Sequence, residues 1–230
     1  LSATPATCEP FVETICTSIY TWSQFESELS NSRPVVTLCA PFSIETDGYD
    51  ARISTPKEVI CHKTDPFQEC EITGSSTHVY ITSSNVTLNG FTFRGSQNSA
   101  VKTNGNKNDI RIQNCVFKNN HHASSSGGAF RTSSGCNIEI VGSTFFNNSA
   151  HYTNGGGAVY TQYSNISLTD SVFERNHAKD GGAIQMLGSG SSNVYLTAEG
   201  SSFIDNTCDG IGPAVQLRYG AFTNNGGNSG

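Results

Sequence analysis

Phe117-Lys118-Asn119-Asn120, Phe145-Phe146-Asn147-Asn148, Phe173-Glu174-Arg175-Asn176 and Phe203-Ile204-Asp205-Asn206 are four copies of one pattern, Phe-x-x-Asn. A second pattern runs in step with it: Gly127-Gly128-Ala129-Phe130, Gly156-Gly157-Ala158-Val159 and Gly181-Gly182-Ala183-Ile184, with Gly212-Pro213-Ala214-Val215 as a degenerate fourth copy. Each unit opens on Asn and alternating apolar residues: Asn85-Val86-Thr87-Leu88, Asn137-Ile138-Glu139-Ile140, Asn165-Ile166-Ser167-Leu168 and Asn193-Val194-Tyr195-Leu196. Asp109-Ile110-Arg111-Ile112 is the same element without its Asn. The leading apolar positions 86, 110, 138, 166 and 194 are 24, 28, 28 and 28 residues apart. A fixed period in this range marks stacked structural units.

Each unit holds three short strand-like runs separated by Gly, Asn and Ser, and no helix long enough to return the chain. Three strands and three turns use about this many residues, so the expected fold is all-β, a parallel β-helix whose rungs lie about 4.8 Å apart. Alternation predicts the inward set of the first strand: Val86/Leu88, Ile110/Ile112, Ile138/Ile140, Ile166/Leu168 and Val194/Leu196. Phe93, Phe117, Phe145, Phe173 and Phe203 form an aromatic stack on the second strand. Val79, Val101, Phe130, Val159, Ile184 and Val215 fill the third. Asn120, Asn148, Asn176 and Asn206 fall at one turn, where stacked amides form a hydrogen-bonded ladder. The glycine pairs supply positive φ at another corner.

Residues 1–33 read as a disulfide-rich cap and 34–230 as the solenoid. Trp22, Phe25 and Leu29 share one face of a short helix, with Thr21 or Ser23 as N-cap; such a helix covers the first rung and its open edges. Pro34-Val35-Val36-Thr37-Leu38 then begins the first coil. Five of the eight cysteines, Cys8, Cys16, Cys39, Cys61 and Cys70, lie in the first 70 residues, and an even total clustered in this way reads as a disulfide framework in a secreted or cell-surface protein. Cys61–Cys70 is the expected pair around Asp65-Pro66, and Cys16–Cys39 would stitch the cap to the first strand. Cys115 and Cys208 are small core residues or further bridge partners. Sequons at Asn85, Asn147 and Asn165 agree with glycosylation, although Asn85 and Asn165 also read as ladder residues. A start at Leu1 fits a processed chain, and Phe222-Thr223-Asn224-Asn225 resembles one more repeat, so further rungs or an anchor are expected downstream.

The two repeats resemble those of chlamydial polymorphic outer membrane proteins and, more broadly, the pectate-lyase-like right-handed β-helix superfamily. The resemblance covers about residues 79–225. It implies a right-handed solenoid; for function it implies only a choice among lyases, hydrolases, epimerases, adhesins and spacers. The superfamily's lyases surround Ca²⁺ with carboxylates beside an Arg base, and its hydrolases cluster three Asp. The outward column of the first strand, Thr87, Arg111, Glu139, Ser167 and Tyr195, holds one acid and one base, read as a surface ion pair. The second column, Arg94, Lys118, Phe146, Glu174 and Ile204, offers no carboxylate pair either. Glycoside hydrolysis needs two carboxylates across the scissile bond.

The expected role is therefore ligand binding or adhesion outside the cell, non-catalytic. A carbohydrate-active enzyme on the same fold is the alternative, and a structural spacer the third reading. The net charge of −6, with 13 scattered Lys and Arg, argues against nucleic acid, and no apolar run reaches transmembrane length. The outward column of the third strand, Tyr80, Lys102, Arg131, Tyr160, Gln185 and Gln216, is the candidate ligand-binding face: aromatic and amide groups at rung spacing suit an extended glycan, or are an ordinary solvated sheet face. His121, His122, His151 and His177 follow the ladder Asn by one to three residues, with Tyr152, Asp180 and Asp209 nearby. Imidazoles gathered at one turn could take a transition metal or a metal complex captured at the cell surface, or are simply polar loop residues. No cofactor is otherwise required.

Overall fold

The computed structural model describes residues 15–104, 109–133, 135–151 and 155–230; Cys8 and Tyr152 lie outside them. It is a parallel β-solenoid with three main sheets and one short helix at its N-terminal end. The first sheet stacks eight strands: Val35–Cys39, Lys57–His62, Val86–Asn89, Asp109–Gln113, Asn137–Val141, Asn165–Thr169, Val194–Glu199 and Gly220–Asn224. The second stacks seven, from Phe42–Glu45 to Ser202–Ile204, and the third seven, from Ala51–Ile53 to Val215–Arg218. A fourth ribbon of two-residue strands, His121–His122, Ser149–Ala150, His177–Ala178 and Thr207–Cys208, runs along the turn between the second and third. All pairings between these strands are parallel.

The predicted inward sets of the first and second strands are the core. Val86, Ile110, Ile138, Ile166 and Val194 are each 0–2 % exposed. Phe93, Phe117, Phe145 and Phe173 are fully buried, with successive ring centroids at 4.9, 4.7 and 4.6 Å, and Phe203 at 5.2 Å ends the stack. At the other end the stack continues through Phe91 to Phe25 and Trp22 of the cap helix Trp22–Ser30. Thr21 closes that helix with a capping box through Gln24. Its C-terminal end is tied down by Lys57, 2 % exposed, which stands at the inward position of Val86 one rung earlier. Lys57 Nζ donates to the Asn31 and Arg33 carbonyls at 2.7 and 2.6 Å and to Asn31 Oδ1 at 3.0 Å, and burial together with the nearby Arg33 lowers its pKa.

The turn asparagines form the expected ladder. Asn120, Asn148 and Asn176 are 0 % exposed, and each Nδ2 donates to the Oδ1 of the next rung at 3.0, 3.0 and 2.9 Å. Each Nδ2 also donates to a phenylalanine carbonyl (Phe93, Phe117, Phe145), and each Oδ1 accepts a backbone N–H from the previous rung. A second ladder was not anticipated. Ser143, Ser171 and Ser201, all buried, accept backbone N–H groups from Cys115, Ser143 and Ser171 at 3.1, 3.2 and 3.2 Å at the corner between the first two sheets. Cys115 occupies the same column, and burial pushes its thiol up to about 11. Disulfides join Cys16–Cys39 and Cys61–Cys70.

The glycine pairs do two jobs. Gly127, Gly156, Gly181 and Gly212 adopt φ of 57–74°. Their partners do not, but a Cβ at Gly128, Gly157 or Gly182 would come within 2.1–2.3 Å of a carbonyl oxygen on a neighbouring rung. Pro213 takes the second place in the last copy.

The 28-residue spacing holds from position 110 to 166 and is then lost. Ile166 pairs with Leu196 and Leu168 with Ala198, a separation of 30, so the last interval is two residues longer than the expected 28. A small turn bridged between Ser189 and Ser192 absorbs the extra residues. Val194 consequently pairs with Gly220, and Thr197, not Tyr195, is the rung neighbour of Ser167.

Phe145→Ala or Phe173→Ala should cost about 3–5 kcal/mol, read as a lower urea midpoint at unchanged slope. Asn148→Ala, which strands buried donors and acceptors on two rungs, should cost far more than Asn147→Ala beside it.

His78 provides a pH test. It is fully buried and stacked on Phe93 at 6.0 Å. Its Nε2 donates to the Gly74 carbonyl at 3.1 Å, and Nδ1 has no partner among the described residues. Burial lowers its pKa to about 4, and His122, also buried, is lowered to about 4. The unfolded chain therefore takes up protons first, so stability is full above about pH 6.5 and falls as pH drops toward 4. For His78 the loss is ~3 kcal/mol. Urea titrations at pH 7, 6, 5 and 4.5 should show it, with a shallower decline in His78→Gln.

Candidate functional site

The outer wall of the first sheet carries a groove of about 630 Å³, within the range of small-ligand sites. It is built from two rows two residues apart along each strand, and so on the same face. The row at the strand starts is Asn85, Asp109, Asn137 and Asn165, and the two-residue insertion places Tyr195 next in it. Asn137 Nδ2 donates to Asp109 Oδ1 at 2.9 Å, Asn165 Nδ2 to Asn137 Oδ1 at 3.3 Å, and the Tyr195 backbone N–H to Asn165 Oδ1 at 3.0 Å. The second row is Thr87, Arg111, Glu139, Ser167 and Thr197. Arg111 donates to Glu139 at 2.6 Å and, through Nε, to Gln113 at 3.1 Å. Tyr195 is 52 % exposed at one end of the groove.

Such a wall can hydrogen-bond a polar chain along several rungs and stack one ring against it. Both its carboxylates are engaged, Asp109 by the Asn137 amide and Glu139 by Arg111. The Asn row was read only as a repeat opener, although the alternation that turns Glu139 and Ser167 outward turns Asn137 and Asn165 to the same face.

The third-sheet column is aligned as expected, Tyr80–Lys102–Arg131–Tyr160–Gln185–Gln216, yet it is not one open face. Tyr160 and Gln185 are each only 7 % exposed, because the Gly-Gly-Ala corner lies against them: a Cβ on Gly156 would stand 3.1 Å from Tyr160 Cα and one on Gly181 3.0 Å from Gln185 Cβ. Gln185 donates to Gln216. Burial raises the Tyr160 hydroxyl pKa.

The four histidines do not converge. His121 and His177 face outward in one column with Ser149 between them, two rungs apart and so roughly 9–10 Å along the axis. Each ring bonds instead to the hydroxyl one rung on, Ser149 and Thr207, both at 2.9 Å. His122 points inward, 4 % exposed, its Nδ1 accepting from the Ser125 backbone at 3.1 Å. His151 follows the Ala150 column that His122 heads. Asp209 lies 3.7 Å from His177, and Asp180 accepts the Ile211 N–H. Among the described residues no three His, Cys, Asp or Glu side chains could hold one metal ion.

All three sequon asparagines are exposed. Asn85 and Asn165 line the groove, while Asn147 donates to Asn119 at 2.7 Å on another corner.

The wall, the ladders and the parallel register define a β-helix. Residues 62–203 match the family described as right handed beta helix region, and the chain belongs to that family. A comparison with curated proteins returned no match.

Proposed function

We propose that this chain is an extracellular or cell-surface ligand-binding module, acting in binding or adhesion rather than catalysis, and that it holds an extended glycan along the first-sheet groove. The groove itself carries the reading: amides, hydroxyls and an ion pair repeat at rung spacing across several coils, ending at an exposed tyrosine. The two disulfides and the exposed sequons support an oxidising compartment, and the resemblance of the repeats to chlamydial polymorphic outer membrane proteins supports the cell surface. Glycans on Asn85 or Asn165 would compete with a ligand for the same wall.

One observation favours the carbohydrate-active enzyme as a second reading: Asp109 and Glu139 line the same groove from adjacent rungs. A screen against neutral and acidic polysaccharides separates the two. Binding without shortening of the polymer is expected, weakened roughly fivefold to tenfold by Tyr195→Ala, as loss of one aromatic contact of about 1 kcal/mol implies. Binding untouched by both Tyr195→Ala and Arg111→Ala would overturn the groove. Cleavage that Glu139→Gln abolishes would establish the enzyme.

A further inference from the structure

The walls of the solenoid differ in how their charges are balanced. On the second sheet Arg94 and Lys118 both reach Glu71, at 2.9 and 3.4 Å, and Arg175 reaches Glu174 at 3.5 Å. On the first, Arg111 is paired with Glu139. The third sheet is different. Arg52, Tyr80, Lys102 and Arg131 succeed one another on four consecutive rungs. Arg52 meets Asp50 at 3.3 Å, but among the described residues no carboxylate lies within ion-pair distance of Lys102 or Arg131.

These two cations are neighbours in register, about 4.8 Å apart along the axis, and like charges opposite each other in a sheet are destabilising. Aromatic faces hold the column in place of acids. Arg52 Cζ stands 5.3 Å and Lys102 Nζ 4.8 Å from the Tyr80 ring centroid, and Arg131 Cζ stands 6.0 Å from that of Tyr160, distances at which cation–π attraction operates. Lys102 and Arg131 are thus ordered against the wall with no carboxylate partner among the described residues. The turn beside them adds no negative charge: His121 and His122 border it, and Arg131, His121 and Lys102 all help, after burial, to keep His122 neutral. The chain as a whole carries −6, so this positive stripe is a local feature and not part of a general basic surface.

We propose that the outer face of the third sheet around Lys102 and Arg131, extended by Arg52, is a binding site for an anionic polysaccharide laid along the solenoid axis, its sulfate or carboxylate groups supplying the missing counter-charge rung by rung. The site is separate from the first-sheet groove and goes beyond the reading given for that groove. Nucleic acid fits less well. Strand binding uses open aromatic faces for base stacking, and here Tyr80 is flanked by two cations while Tyr160 is shut in at 7 % exposure.

Binding is measured at 50 and 300 mM NaCl to heparin as the sulfated probe, polygalacturonate as the carboxylated one, neutral dextran and single-stranded DNA. At least one polyanionic glycan should bind at low salt and weaken at high salt, since screening shortens the reach of exposed charges; which of the two binds tells sulfate from carboxylate. The double variant Lys102→Gln with Arg131→Gln should lose tenfold or more of that affinity and most of its salt dependence, with an unchanged urea midpoint showing that it is folded. Lys63→Gln, which removes a positive charge elsewhere, should bind as the parent does. Neither glycan binding, affinity unchanged in the double variant, equal binding of dextran, or tighter binding of DNA would each overturn the proposal. Loss of polyanion binding in Tyr195→Ala but not in the double variant would also overturn it, assigning the polyanion to the groove.

Discussion

A buried amide that must find its partners on the next rung is the constraint from which the rest of this solenoid follows. In the Asn120–Asn148–Asn176–Asn206 ladder the Nδ2 groups of the first three donate to both a carbonyl and the next Oδ1, and the Oδ1 atoms of the last three accept both a side-chain and a backbone donor. Sliding one coil by a residue would leave these groups without partners in a site closed to water, at about 1–3 kcal/mol for each. The phenylalanine stack beside it contributes more burial, but apolar contact is non-directional and tolerates a shift that the amides do not. The ladder therefore sets register, and the rings supply the cohesion that makes the register worth holding.

Register fixed on the inside is inherited by the outside. Because each rung repeats the last, an outward residue stands above its counterpart, and the wall becomes a column of chemistry at one spacing. That explains why period-2 alternation was enough to read both core and columns from Val86 through Leu168. It also explains where such reading stops. The extra pair of residues near Ser189–Ser192 is invisible to the motif Asn193-Val194-Tyr195-Leu196, which looks like a faithful copy, and only pairing shows Tyr195 in line with Asn165. The serine ladder escaped notice because Ser is common at any turn. Lys57 stands in an apolar column for a reason outside the repeat: the carbonyls at the end of the cap helix need a donor.

The histidines show a different limit. In two-residue strands the alternation is too short to declare itself, so His121 and His122 read as neighbours in one loop when one faces solvent and the other the interior. Closeness in sequence and equivalence between coils place residues in a neighbourhood; coordination of an ion demands convergence of lone pairs, which rung stacking opposes. Side chains one rung apart point in parallel. This column is consequently suited to extended ligands that meet parallel groups, and among the described residues no three His, Cys, Asp or Glu side chains gather on one ion.

Exposure of the third sheet follows the same logic from the corner inward. Where Gly-Gly-Ala occurs, the missing side chains let the backbone lie down on the strand that follows: a Cβ at Gly127 would stand 3.1 Å from Arg131 Cβ, and those at Gly156 and Gly181 meet Tyr160 and Gln185 as closely. Side chains beneath such a corner are enclosed when they are short or flat, as with Tyr160 and Gln185. A longer one is less enclosed: Arg131 is half-buried, with its Cζ 6.0 Å from the Tyr160 ring centroid. The earlier rungs, entered through Asp50-Ala51, His78-Val79 and Ala100-Val101, have no such pair, and Arg52, Tyr80 and Lys102 are more open. The point in the sequence at which the glycine pairs begin thus decides how far along the axis the third wall can face a ligand.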